Sequence, residues 1–127
     1  MTDAELDLSY RIGRHPKWVW APGMLGVKIS PDSLYLSDLV LCRYDGEKDF
    51  TEYSPYLSDA WTIYLIWESI KKFKLDNYSL VRVFENPIWK CGFSRGGSPV
   101  ILLFSSSREG NVASRSWMWF AGRKEEK

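Results

Sequence analysis

Residues 53–73, YSPYLSDAWTIYLIWESIKKF, decide the fold of this chain because they predict where a helix begins and which face it buries. Ser58 is the expected N-cap with Asp59 in the first turn, since Pro55 disfavours an earlier start. Apolar residues then recur at spacings of three and four, which predicts one continuous buried stripe. The stripe comprises Ala60, Ile63, Tyr64, Trp67 and Ile70, widened by Ile66 and Phe73.

Length and composition predict one soluble globular domain. The chain has 127 residues, of which 45% are hydrophobic and 16% aromatic, with seven tryptophans. This length is close to the commonest domain size. The formal net charge of +1 disfavours both a strongly basic nucleic-acid binder and a strongly acidic DNA mimic, because each needs a large charge imbalance.

The N-terminal half is expected to contain a short helix and one strand. Thr2 and Glu5 form the spacing of a capping box, which predicts a helix that ends at Gly13. Residues 17–32 contain several Pro and Gly residues and are expected to form an ordered loop with one short extended piece. Residues 34–43 are predicted to form a strand, and residues 47–56 an exposed loop.

Three strand candidates follow, at residues 78–84, 88–93 and 100–104, and turn-forming residues separate them. An antiparallel meander is the expected assembly. The third candidate, VILLF, is expected to be buried on both faces. Asn111 is predicted to cap a helix over residues 112–122. The predicted fold class is α+β, a small antiparallel sheet packed with helices in a sandwich-like single domain, residues 1–127.

The chain has no recognisable catalytic or metal-binding motif. His15 is the only histidine and is expected to be a solvated or capping side chain at a helix end. Cys42 and Cys91 are predicted to be reduced thiols in the core, which fits the cytoplasm. We therefore expect no enzyme activity, no metal and no cofactor. We also expect no membrane attachment, because there is no apolar run of 18 residues and no signal peptide.

Two surfaces are candidates for protein contacts. One is an acidic and aromatic run that could bind an arginine-rich groove through charge-assisted hydrogen bonds and ring stacking; a solvated loop is the equally favoured alternative. Its residues are Tyr44, Asp45, Glu47, Asp49, Phe50, Glu52 and Tyr53. The other contains Trp18 and Trp20, which could anchor an interface or, as we favour, fold back as a lid on the core.

A nucleic-acid interface is the alternative function. Arg82, Lys90 and Arg95 on the open face of the predicted meander could contact phosphates while Trp89 or Phe93 stacks on bases. The near-neutral total charge disfavours this interpretation.

Several short motifs resemble a phage family. They are Glu5-Leu6-Asp7 followed by a Trp-containing stretch, the Y-S-x-x-x-S-D-A-W block that ends at Trp61, the Trp89-x-x-x-Phe93 strand, and the terminal helix that begins at Asn111. Together they resemble the small bacteriophage proteins described as phage ABA sandwich domains. Residues 34–50 depart from that pattern.

The resemblance implies a phage-encoded accessory protein with a sheet between helices and no catalytic residues. It leads to the hypothesis of an inhibitor that works in the host bacterial cytoplasm. Such a protein would bind a host defence protein, for example a CRISPR-Cas component, and block it by steric occlusion, as an anti-CRISPR does. The oligomeric state stays open.

Overall fold

The computed structural model describes residues 1–29, 39–73 and 78–122. Within them lie three helices and two three-stranded antiparallel sheets, which confirms the α+β class. The chain divides into two compact units, Met1–Leu65 and Ile66–Lys127. The single-domain organisation stays a prediction. Within the described ranges, no helix has both the length and the apolar character needed to cross a bilayer.

The first unit opens with α1, Asp3–Gly13, which begins with the predicted capping box. The N–H of Glu5 donates to Thr2 Oγ1 at 3.1 Å, and the N–H of Thr2 donates to Glu5 Oε1 at 2.9 Å. These two bonds satisfy backbone donors that the first turn of a helix leaves unpaired. The prediction for this helix is confirmed.

The first sheet has the strand order β2-β1-β3. Its strands are β1 (Leu25–Ile29), β2 (Leu39–Arg43) and β3 (Ser54–Pro55). Strand β1 is the short extended piece expected within residues 17–32, and β2 confirms the C-terminal part of the strand predicted for residues 34–43. Residues 34–38 of that prediction lie outside the described residues. Helix α1 packs against β3, and the Ser9 hydroxyl donates to the carbonyl of Pro55.

Helix α2 spans Ala60–Ile70 and ends before Phe73. Its cap lies one residue later than predicted. Asp59, rather than Ser58, caps it, because Asp59 Oδ2 accepts from the N–H of Thr62 at 3.0 Å. The prediction of a buried stripe is confirmed at Ile63, Ile66, Trp67 and Ile70. It is wrong at Ala60 and Tyr64, which are exposed.

The second unit contains the predicted meander, with the strand order β4-β5-β6. Its strands are β4 (Tyr78–Glu85), β5 (Ile88–Arg95) and β6 (Ile101–Ser106). The prediction that β6 is buried on both faces is wrong, since Ile101 is 54% and Leu102 56% exposed. Among the described strands β6 pairs only with β5, so it lies at an edge of the sheet.

Helix α3, Glu109–Ala121, packs against β5 and β6. It begins earlier than predicted, with Arg108 at the N-cap position, so Asn111 is a residue of the first turn and not the cap. The face predicted to be buried is confirmed at Ala113, Trp117 and Phe120. In the same unit, Trp67 Nε1 of α2 donates to Glu109 Oε1 at 3.1 Å.

Candidate functional site

The acidic loop, residues 44–53, rests on a base of packed aromatic rings. The ring of Phe50 meets Trp20 edge-on at 4.9 Å between centroids, Tyr44 at 5.0 Å, and Tyr53 in a stacked arrangement at 4.3 Å. Trp20 in turn meets Trp18 at 5.5 Å. Ring contacts of this kind stabilise a fold by more than the burial of their apolar area alone provides. Trp18 is buried and Trp20 half-buried, so both belong to this base, as the lid interpretation predicts.

Two aspartates shape the loop by accepting hydrogen bonds from its backbone. Asp45 Oδ1 accepts from the N–H of Glu47 at 2.9 Å and of Lys48 at 3.0 Å. Asp49 Oδ1 accepts from the N–H of Thr51 at 3.0 Å. Side-chain oxygens of Asp stabilise turns in this way. The conformation of the loop is therefore stabilised both by hydrogen bonds to its own carboxylates and by packing on the aromatic base.

The loop carries negative charge at neutral pH. It contains four carboxylates and one ammonium group, that of Lys48. The backbone donors of Glu47 and Lys48 lower the pKa of Asp45, and those of Thr51 lower the pKa of Asp49. Both side chains are therefore ionised well below neutral pH.

Glu52 has a cationic partner on the first sheet. Its Oε2 lies 2.9 Å from Nζ of Lys28 on β1. The hydrogen bond and the charge of Glu52 raise the pKa of Lys28. Because this carboxylate is already paired, the carboxylates of Asp45, Glu47 and Asp49 carry the surplus negative charge of the loop.

The predicted contact residues differ in exposure and form three groups. Asp45, Glu47, Asp49 and Glu52 are exposed, and Tyr44 and Tyr53 are half-buried. Phe50 is only 4% exposed, so the prediction of an exposed loop over residues 47–56 is wrong for this residue, as it is for the buried strand residues Ser54 and Pro55. The Phe50 ring holds the loop in place and is unavailable to stack on a partner.

The four residues of the alternative nucleic-acid interface do not share one face of the second sheet. Residues paired across two antiparallel strands point to the same face, and the faces alternate along each strand. Arg82 pairs with Cys91, whereas Lys90 pairs with Val83. Arg82, Trp89 and Arg95 therefore lie on one face and Lys90 on the other.

Local contacts also occupy these residues. The Arg82 guanidinium lies 5.2 Å from the centre of the Trp67 ring, and Lys90 Nζ forms an ion pair with Glu85 at 2.8 Å. Trp89 packs against Phe84 at 4.6 Å. Lys90 is thus separated from the other three residues, and the nucleic-acid interface stays a prediction.

Helix α2 carries an exposed aromatic pair on its first turns, Trp61 and Tyr64, which was not predicted from the sequence. The two rings stack with centroids 5.2 Å apart and an interplanar angle of 26°. Trp61 precedes the buried Ile63 by two residues, which at about 100° per residue places it on the opposite side of the helix. This angular position is the signal that could have identified Trp61 as a surface residue.

The remaining candidate groups lie in ordinary structural positions. His15 Nδ1 accepts from the N–H of Lys17 at 3.1 Å, and burial followed by the nearby charge of Lys17 lowers the pKa of His15. Both cysteines are free thiols; Cys91 is buried as predicted, and burial raises its pKa, whereas Cys42 is only half-buried. In the part of the chain that the structure describes, no three His, Cys, Asp or Glu side chains are grouped to hold a metal ion.

Comparison with protein-family models, with curated proteins and with solved structures finds no match for this chain.

Proposed function

We propose that this chain is a non-enzymatic protein that binds another protein through the acidic loop. The observation that carries the proposal is the exposure of Asp45, Glu47 and Asp49 on a loop that an aromatic base holds in shape. A surface that is ordered before binding loses little conformational freedom on association. Carboxylates placed in this way are suited to charge-assisted hydrogen bonds with Arg and Lys side chains.

The finer proposal is a phage-encoded inhibitor that binds a bacterial defence protein, such as a CRISPR-Cas component, in the host cytoplasm. It is supported by the sequence resemblance to phage ABA sandwich domains. Many proteins that bind nucleic acid carry basic grooves. An acidic loop complements such a groove, and occupying it would exclude the nucleic acid by steric occlusion.

A pull-down from bacterial lysate with the tagged protein tests this function. Half of each lysate is treated with nuclease, and bound proteins are identified by mass spectrometry. We expect one bacterial nucleic-acid-binding protein to be retained in both halves and to elute at high salt, because salt screens charge pairs. Retention that disappears after nuclease treatment would instead indicate that the chain binds nucleic acid.

A further inference from the structure

Trp61 and Tyr64 form an exposed aromatic pair on the N-terminal part of α2. Trp61 is 51% and Tyr64 46% exposed, although their rings stack on each other. Single exposed apolar residues are common on protein surfaces and need no explanation. Two large rings side by side are different, since Trp and Tyr are among the residues that most often dominate the binding energy of interfaces.

The Pro22-Gly23 turn lies between the aromatic pair and the acidic loop and contacts both. The N–H of Gly23 donates to the carbonyl of Tyr44 at 2.8 Å. A β-carbon on Gly46 would lie 3.3 Å from Cγ of Pro22, and one on Gly23 would lie 2.4 Å from Nε1 of Trp61. The turn therefore contacts the loop on one side and the indole on the other, all within the first unit.

The charge next to the aromatic pair is compatible with a cationic ligand. Arg43 is the cation at this turn, where its Nη1 donates to the carbonyl of Gly23 at 2.8 Å. Both of its terminal nitrogens also reach the carboxylate of Asp59 at 3.3 Å. The charge of Arg43 is thus neutralised by Asp59, so the surplus negative charge near the aromatic pair is that of the acidic loop.

We propose that the aromatic pair and the acidic loop together bind an arginine-bearing basic segment of the partner protein. An arginine side chain of the partner stacks on Trp61 while neighbouring basic side chains pair with Asp45, Glu47 and Asp49. Arginine fits better than lysine, because its planar guanidinium stacks on indole rings and forms two parallel hydrogen bonds with a carboxylate. This inference rests on the proposed function and adds the chemistry of the recognised segment.

Two synthetic peptides, ten arginines and ten lysines, test the inference by isothermal titration calorimetry. They carry equal charge, so the acidic loop attracts both. We expect the wild-type protein to bind the arginine peptide about two- to five-fold more tightly, because a guanidinium stacks on the indole and pairs bidentately with a carboxylate, whereas an ammonium makes weaker forms of both contacts. Trp61→Leu should reduce that preference to the part that bidentate pairing of arginine with the carboxylates provides, and Trp61→Phe should keep more of it, because only Phe retains an aromatic face.

A loop-neutral variant, Asp45→Asn, Glu47→Gln and Asp49→Asn, separates this inference from the proposed function. We expect it to lower the affinity for both peptides, whereas a charge-matched control, Asp7→Asn, Glu68→Gln and Glu85→Gln, should not. Equal affinity of the wild type for the two peptides, or an unchanged preference in Trp61→Leu, would overturn the arginine inference alone. Unchanged affinity of the loop-neutral variant would count against the acidic loop itself.

Discussion

Trp61 packs so closely on Gly23 that a β-carbon at residue 23 would lie 2.4 Å from the indole nitrogen. Gly23 has a φ of 96°, a backbone conformation that L-residues rarely adopt. The contact joins helix α2 to the turn that supports the acidic loop. A substitution at Gly23 or Trp61 is therefore expected to affect both the helix and the turn.

Gly23→Ala should destabilise the protein through backbone strain and through the clash with Trp61. The matched control is Gly97→Ala, since Gly97 has a φ of 79° but nothing within 4 Å of the added carbon. Strain alone should cost about 1–2 kcal/mol in the control. We expect urea denaturation to show a larger loss of unfolding free energy for Gly23→Ala than for Gly97→Ala. Equal losses of unfolding free energy would contradict the close packing of Trp61.

Two tryptophans of α2 should respond very differently to truncation. Trp67 is 1% exposed and hydrogen-bonded to Glu109, so Trp67→Ala should cost about 3–5 kcal/mol of unfolding free energy. Trp61 is half-exposed, so Trp61→Ala should cost about 1 kcal/mol or less. Chemical denaturation of both variants checks this order, and similar costs would mean that Trp61 is a core residue.

Phe50 should act on the loop through stability and not through direct contact. Phe50→Ala removes the central ring of the aromatic base and should cost about 3–5 kcal/mol, as large-to-small changes in cores do. The loop-neutral variant should stay within about 0.5 kcal/mol of the wild type, because Asn keeps the side-chain oxygen that accepts the turn hydrogen bonds. Thermal and urea unfolding measure both. A small effect of Phe50→Ala would contradict the role assigned to this ring.

Asp59 should make stability depend on pH in the acid range. Burial raises its pKa, but hydrogen bonds from Arg43 and Thr62 outweigh burial, so the pKa lies below its ordinary value. A depressed pKa contributes stability that is complete above the unfolded pKa, about 3.9, and is lost as the pH falls through the folded value. The melting temperature of the wild type should therefore be higher than that of Asp59→Asn at pH 7. The difference between the two melting temperatures should narrow below about pH 4. A difference that is constant down to pH 2 would show that ionised Asp59 does not stabilise the fold.

Local signals in the sequence were sufficient for α1 and for the strands of the meander. The capping box of Thr2 and Glu5 identified α1, and the turn-forming residues between residues 78 and 104 identified the meander. These features depend on residues close together in the chain, whose backbone preferences act locally.

The errors arose where tertiary packing decides. Nothing local distinguishes Phe50, which packs against Trp20 from a distant part of the chain, from an exposed ring. Similarly, the run VILLF looks equally apolar at the centre and at the edge of a sheet, so the exposure of Ile101 and Leu102 could not be read from it. The acidic residues of the site were found because charge is visible in the sequence. Their aromatic neighbours Trp61 and Tyr64 were missed because they were assigned to the core or left without a role.

The most direct test of the central claim compares the wild type, the loop-neutral variant and the charge-matched control in one nuclease-treated pull-down. The amount of the retained bacterial protein is quantified by mass spectrometry. We predict that the wild type and the control retain equal amounts, while the loop-neutral variant retains little, because its loop has lost the charges that pair with the partner. Equal retention by all three proteins would contradict the claim that the acidic loop binds the partner.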